Sequence, residues 1–102
     1  MNEKYISNSQ QRLLKSIRTL FDSPIDGVAL AHVANRTGTS RPQALRDLHN
    51  LAAAGFAQKT ENGTWTPGDA LVALAVQAQT AAQRQAARLQ AFQSRMDAAR
   101  YL

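Results

Sequence analysis

Residues 30–56 read LAHVANRTGTSRPQALRDLHNLAAAGF, and their spacing decides the fold. Leu30, Val33 and Ala34 fall on one face of a helix running from about Ala29 to Thr37, with His32, Asn35 and Arg36 on the other. Gly38 supplies a permissive backbone for a tight turn. Ser40 is then placed to cap a third helix, and Pro42 sits in its first turn, where a missing N–H costs nothing. That helix is expected to bury Ala44, Leu48 and Leu51, with Leu45 and Ala52 at the margin. Gly55 stops it, and Phe56 turns back onto the core. Two helices joined by a short turn in this order form a helix-turn-helix.

Working outward, the following stretch FAQKTENGTWTP carries two short strands, 56–60 and 64–66, around Asn62-Gly63. Both turn residues tolerate the positive φ of a type I′ turn, so a hairpin is expected there. Trp65, the single tryptophan, reads as a core anchor. Pro67-Gly68 breaks the strand, and Asp69 is placed to cap a last helix. Upstream, Ser7-Asn8-Ser9 offers caps for a first helix, with Gln10 as the partner of Ser7 in a capping box. Its apolar stripe comprises Leu13, Leu14, Ile17, Leu20 and Phe21, with Arg12, Lys15, Arg18 and Thr19 largely opposite. Asp22-Ser23-Pro24 ends it, and Ile25 to Val28 forms a loop leading into a very short strand.

The expected fold class is therefore mainly α with a small β-wing: a winged helix-turn-helix over residues 1–68, then one long helix over 69–102. From Asp69 onward there is neither Gly nor Pro. Leu71, Ala75, Ala78, Ala82, Gln85, Leu89, Phe92, Met96 and Ala99 recur at alternating steps of four and three, which is a heptad seam with one polar member. The seam predicts oligomerisation through this helix, most simply a homodimer, with Leu13 and Ile17 of the first helix extending the interface.

Twelve Lys and Arg against seven Asp and Glu give a net charge of +5 and a pI near 10.5. Nine of the twelve cations are Arg, the residue suited to bidentate contact with phosphate or guanine. Cysteine is absent, which excludes disulfides, thiolate metal sites and cysteine nucleophiles. No Gly-rich phosphate loop, paired carboxylates or nucleophile–base set is visible, so no catalytic residue, metal or cofactor is expected. The polar start MNEKYISNSQQ and the lack of a long apolar run predict a cytoplasmic, nucleoid-associated protein with no membrane partner.

If Ala44, Leu48 and Leu51 face the core, steps of 100° put Pro42, Gln43, Arg46, His49 and Asn50 outward. Arg suits guanine edges and Gln or Asn suits adenine, which makes Arg46 the first candidate for base contact and Gln43 the second. Thr39, Ser40 and Arg41 lie at a helix N-terminus that favours phosphate. Arg36, Lys59, Thr60 and Asn62 are further phosphate candidates. Asp47 and Glu61 place negative charge near the expected phosphates and oppose binding. The partner that fits this set is double-stranded DNA.

SQQRLLKSIRTLFD at 9–22, the segment 30–56 with its spacing from turn glycine to end glycine, and GTWTPGDALVAL at 63–74 together resemble the N-terminal DNA-binding domain of the IclR family of bacterial transcription regulators. The resemblance covers residues 9–78 and implies DNA binding. Pro42-Gln43 stands where the family usually has Ser-Thr, and Asp47 and Thr39 replace usual leucines. The family's effector-binding domain has no counterpart here, so no small-molecule effector site is expected. A small dimeric, sequence-specific transcriptional regulator is the leading expectation, of a size that would suit a phage or plasmid protein. The alternatives are a DNA-docking assembly protein of higher order, like a small terminase subunit or a segregation factor, and an interaction module that has lost DNA.

Overall fold

The structure, a computed structural model, describes residues 3–102. After a single 3-10 turn at Glu3–Tyr5 come α1 (Asn8–Leu20), α2 (Leu30–Thr37), α3 (Arg41–Ala53), β1 (Ala57–Lys59), β2 (Trp65–Pro67) and α4 (Asp69–Ala99). The result is a helix-rich fold with a small antiparallel two-stranded sheet and a long C-terminal helix. Contacts divide it into two units, the described residues up to Val72 and Ala73–Leu102.

In the first unit the caps stand where the side chains require them. The Ser7 hydroxyl accepts from the Gln10 amide at the start of α1, and Ser40 accepts from Gln43 at the start of α3. Gly38 closes α2 at φ 68°. Leu20, Val28, Val33, Ala34, Ala44, Leu48, Leu51, Ala57 and Trp65 form one buried cluster. Leu13, Ile17, Leu30, Leu45, Ala52 and Phe56 pack on its margin, so Leu13 and Ile17 serve this unit's own core.

Three expectations need correction. The buried arc of α1 is rotated from the predicted stripe. Ser16 and Thr19 are buried, while Leu14 and Phe21 remain about half exposed. The two hydroxyls donate to the carbonyls of Arg12 and Lys15, so these small polar side chains enter the core with their hydrogen bonds satisfied. Periodicity of apolar residues alone could not see that substitution of hydroxyl for hydrocarbon.

The hairpin turn is also of a different kind. Among the described residues none other than glycine has positive φ, so Asn62 does not adopt the type I′ conformation. The Gly63 amide donates to the Thr60 carbonyl, the Thr60 amide donates to the Thr64 carbonyl, and Gly63 has φ 81°. This is a three-residue loop, a type I turn closed by a left-handed glycine. The strand does end at Pro67-Gly68, with Pro67 itself the last residue of β2, opposite Ala57. The Gly68 carbonyl receives the Val72 amide, which leaves Asp69 inside the first turn of α4 instead of at its cap.

The expected short strand before α2 contracts to one residue. Val28 and Trp65 exchange two backbone hydrogen bonds of 2.8 Å, adding a bridge beside β2. At the far end of the sheet, Gly68 lies so close to the Gly55 carbonyl that a Cβ would sit 2.2 Å from that oxygen. The Gly68 amide donates to the Phe56 carbonyl and the Ala70 amide to the Gly55 carbonyl. These bonds clip the start of α4 to the end of α3, which is why the first unit continues past Gly68 to Val72.

The second unit is the remainder of α4. Leu89, Phe92 and Met96 are each half or more exposed on it, as are Leu74 and Val76, which lie off the predicted seam. No helix among the described residues is long and apolar enough to cross a membrane.

Candidate nucleic-acid interface

The same 100° geometry that buries Ala44, Leu48 and Leu51 places Asp47 at the margin of their arc, beside Leu51, and packing leaves the residue buried (5% exposed). A buried carboxylate requires partners. Arg12 of α1 supplies them in fork geometry, with Nε donating to Oδ2 at 2.6 Å and Nη2 to Oδ1 at 3.2 Å. Gln43 Nε2 adds a third donor to Oδ1 at 3.0 Å. The Arg12 hydrogen bond holds the Asp47 carboxyl below its ordinary pKa, against the opposing effect of burial, and Gln43 reinforces the shift. Reciprocally, the hydrogen bond that Arg12 donates to Asp47 raises the pKa of Arg12. The expectation that Asp47 opposes a phosphate is thereby corrected: its charge faces inward and is neutralised across the α1–α3 junction.

The network continues outward from this pair. Gln43 Oε1 accepts from Arg46 Nη2 at 3.4 Å, and Asn50 Nδ2 donates to the Arg46 carbonyl at 3.0 Å. Gln43 therefore holds Asp47 with one end of its amide and steadies the Arg46 guanidinium with the other. Arg41, Pro42, Arg46, His49 and Asn50 are exposed, and Gln43 is half-buried. Arg46 lies near the centre of this outward arc.

Trp65 joins the helix to the hairpin. His49 meets its ring edge-on at 5.6 Å between centroids with an 87° interplanar angle. Lys59 Nζ lies 5.9 Å from the same ring, within the range of a cation–π contact. One buried indole thus brings His49 of α3 and Lys59 of β1 together.

The remaining candidates have other engagements. The Ser40 hydroxyl is occupied by its cap, and Thr39 is half-buried with its amide bound to the Ala34 carbonyl. The Thr60 hydroxyl is paired with that of Thr64 at 2.7 Å, inside the hairpin. Asn62 and Glu61 are exposed at its tip. Arg36 lies 3.6 Å from Asp22, which also binds His32 at 2.9 Å, so Arg36 belongs to a separate cluster at the α1–α2 junction. Sequence alone does not single out Arg12. Its signal was a half-buried position flanking the α1 arc, legible only once Asp47 is placed on the inward face of α3.

Among the described residues no three His, Cys, Asp or Glu side chains gather as metal ligands, and no buried side-chain nitrogen or oxygen lacks a partner. Neither the protein-family models nor the curated proteins contain a match to this chain.

Proposed function

We propose that the first unit is a winged helix-turn-helix that binds duplex DNA with α3 in the major groove and the β1–β2 hairpin against the backbone, and that the chain acts as a small dimeric transcriptional regulator. The observation that carries this reading is the polarity of α3. Its one carboxylate is turned inward onto Arg12, while Arg41, Arg46, His49 and Asn50 are left exposed. A cationic and amide-bearing helix face cleared of negative charge matches the acceptors and donors on base edges and the phosphates that flank them. Lys59, held near the same indole as His49, extends the cationic surface onto the hairpin.

One such face is small. Two copies linked through α4 raise the effective concentration of the second face at paired half-sites. Exposed Leu89, Phe92 and Met96 on α4 support that link.

Selection of bound duplexes from a random pool, followed by a salt titration on the selected site, tests the reading. Affinity is expected to fall steeply with salt as counterions are released. Arg46→Glu is expected to abolish selection of that site in a protein with wild-type circular dichroism. Retention of the same site at wild-type affinity by the folded variant would refute α3 as the reading element.

A further inference from the structure

The self-association half of the proposed function leaves open how two α4 helices meet, and their residues are distributed unevenly enough to decide it. Along the seam, the first half presents Ala75, Ala78 and Ala82, and the second half presents Leu89, Phe92, Met96 and Ala99. All of these are exposed, the three large ones at 58%, 52% and 50%. Charge is divided in the same way. Residues 70–83 contain no charged side chain, whereas 84–100 carry Arg84, Arg88, Arg95 and Arg100 against the single Asp97.

We infer that α4 pairs with a second copy of itself in antiparallel orientation, centred near Ala87. In that register Ala82 faces the partner's Phe92, Ala78 faces the partner's Met96, Gln85 faces the partner's Leu89, and Ala75 faces the partner's Ala99. Two of these four layers oppose alanine to a large side chain, the central one joins Gln and Leu, and the end one joins two alanines, so the helix separation varies less along the pair than in a parallel one. Interaxial distance follows the side chains at the contact, about 8–10 Å in general. A parallel, in-register pair would instead stack alanine on alanine at one end and Phe92 on Phe92 at the other, forcing the helices apart where the apolar area is greatest.

Electrostatics select the same orientation. Parallel alignment lays the two arginine-rich halves side by side and aligns the helix dipoles. Antiparallel alignment sets residues 91–100 beside the partner's uncharged 74–83, leaves only 84–90 beside their own counterparts, and opposes the dipoles. Arg84 and Arg88 both fall within that shared segment, off the seam and exposed. The inference rests on self-association and is independent of DNA binding.

The chain contains no cysteine, so single introduced cysteines can carry spin labels on the full-length protein. Ala87 and Gln77 are exposed and off the seam. Sedimentation at tens of micromolar is expected to give a dimer. Labels on Ala87→Cys, at the centre, should lie about 20–25 Å apart across two helix diameters. Labels on Gln77→Cys should lie about 35 Å apart, because twenty residues of axial offset at 1.5 Å each add roughly 30 Å along the rod. A Gln77 distance as short as that of Ala87 in a proven dimer would overturn the antiparallel orientation while leaving self-association standing. Long distances at both positions would overturn pairing centred on α4. A monomer would overturn the inference and self-association together.

Discussion

Replacing Asp47 by Asn retains the shape of the side chain and removes the charge that Arg12 and Gln43 converge upon. In the native protein that carboxylate accepts three hydrogen bonds at 2.6, 3.2 and 3.0 Å. An amide in its place accepts through one atom only and turns an N–H₂ group toward donors. Hydrogen bonds to charged groups contribute about 1.5–3 kcal/mol each when deleted singly. Because Arg12 retains 24% exposure and can recover water, the expected cost of Asp47→Asn is about 1–3 kcal/mol in total at neutral pH. For a unit of this size that corresponds to a melting temperature lower by roughly 5–15 °C. The pH dependence follows from the direction of the shift. Asp47 has a lowered pKa in the folded state, so its contribution is complete above the unfolded value of about 3.9 and is lost as pH falls through the folded value. Urea unfolding of both proteins between pH 7 and pH 2 should therefore show a gap that is widest near neutrality and closes in acid. A gap unchanged down to pH 2, or no gap at pH 7, would refute the ion pair as the link between α1 and α3. Since Asp47 presents no charge to the exposed face, any change in DNA binding by the folded variant should come through Gln43 and Arg46.

Lys59→Ala is expected to weaken binding by a similar factor on selected and unrelated duplexes, measured by competition titration, since a phosphate contact carries no base information. A changed sequence preference would mean that the hairpin reads bases. Gly63→Val places a β-branched residue at φ 81° and should destabilise the first unit by about 1–3 kcal/mol in urea unfolding, despite open space around that position. Ending the chain after Thr80 removes Leu89, Phe92 and Met96; the product should sediment as a folded monomer and bind DNA less tightly than the full chain.

Sequence made α3 legible because local rules and tertiary burial agree there. Ser40 and Pro42 start the helix, and Ala44, Leu48 and Leu51 are its buried apolar residues. The α1 stripe was harder, since burial of Ser16 and Thr19 depends on hydroxyls finding backbone carbonyls within their own helix, which a count of apolar residues does not register. Asn62-Gly63 located the hairpin correctly but not its turn, because both the two-residue and three-residue loops place glycine in a left-handed conformation. The Arg12–Asp47 pair spans 35 residues of sequence. Each member looked like surface charge alone, and only the packing of α1 on α3 makes them partners. The pairing converts an apparent obstacle on α3 into a neutralised support.

Trp65 gives the molecule two separable spectroscopic clocks. It is the only tryptophan, is 2% exposed, and lies in the first unit against His49 and Lys59, so indole emission follows that unit alone. Far-ultraviolet dichroism reports on both units, since α4 holds 31 helical residues and α1, α2 and α3 hold 13, 8 and 13. Coincident melting curves from the two signals would mark a single cooperative transition. If α4 pairs with a second copy as inferred, dilution should move the α4 part of the dichroism transition downward while emission holds nearly still, because only association follows mass action.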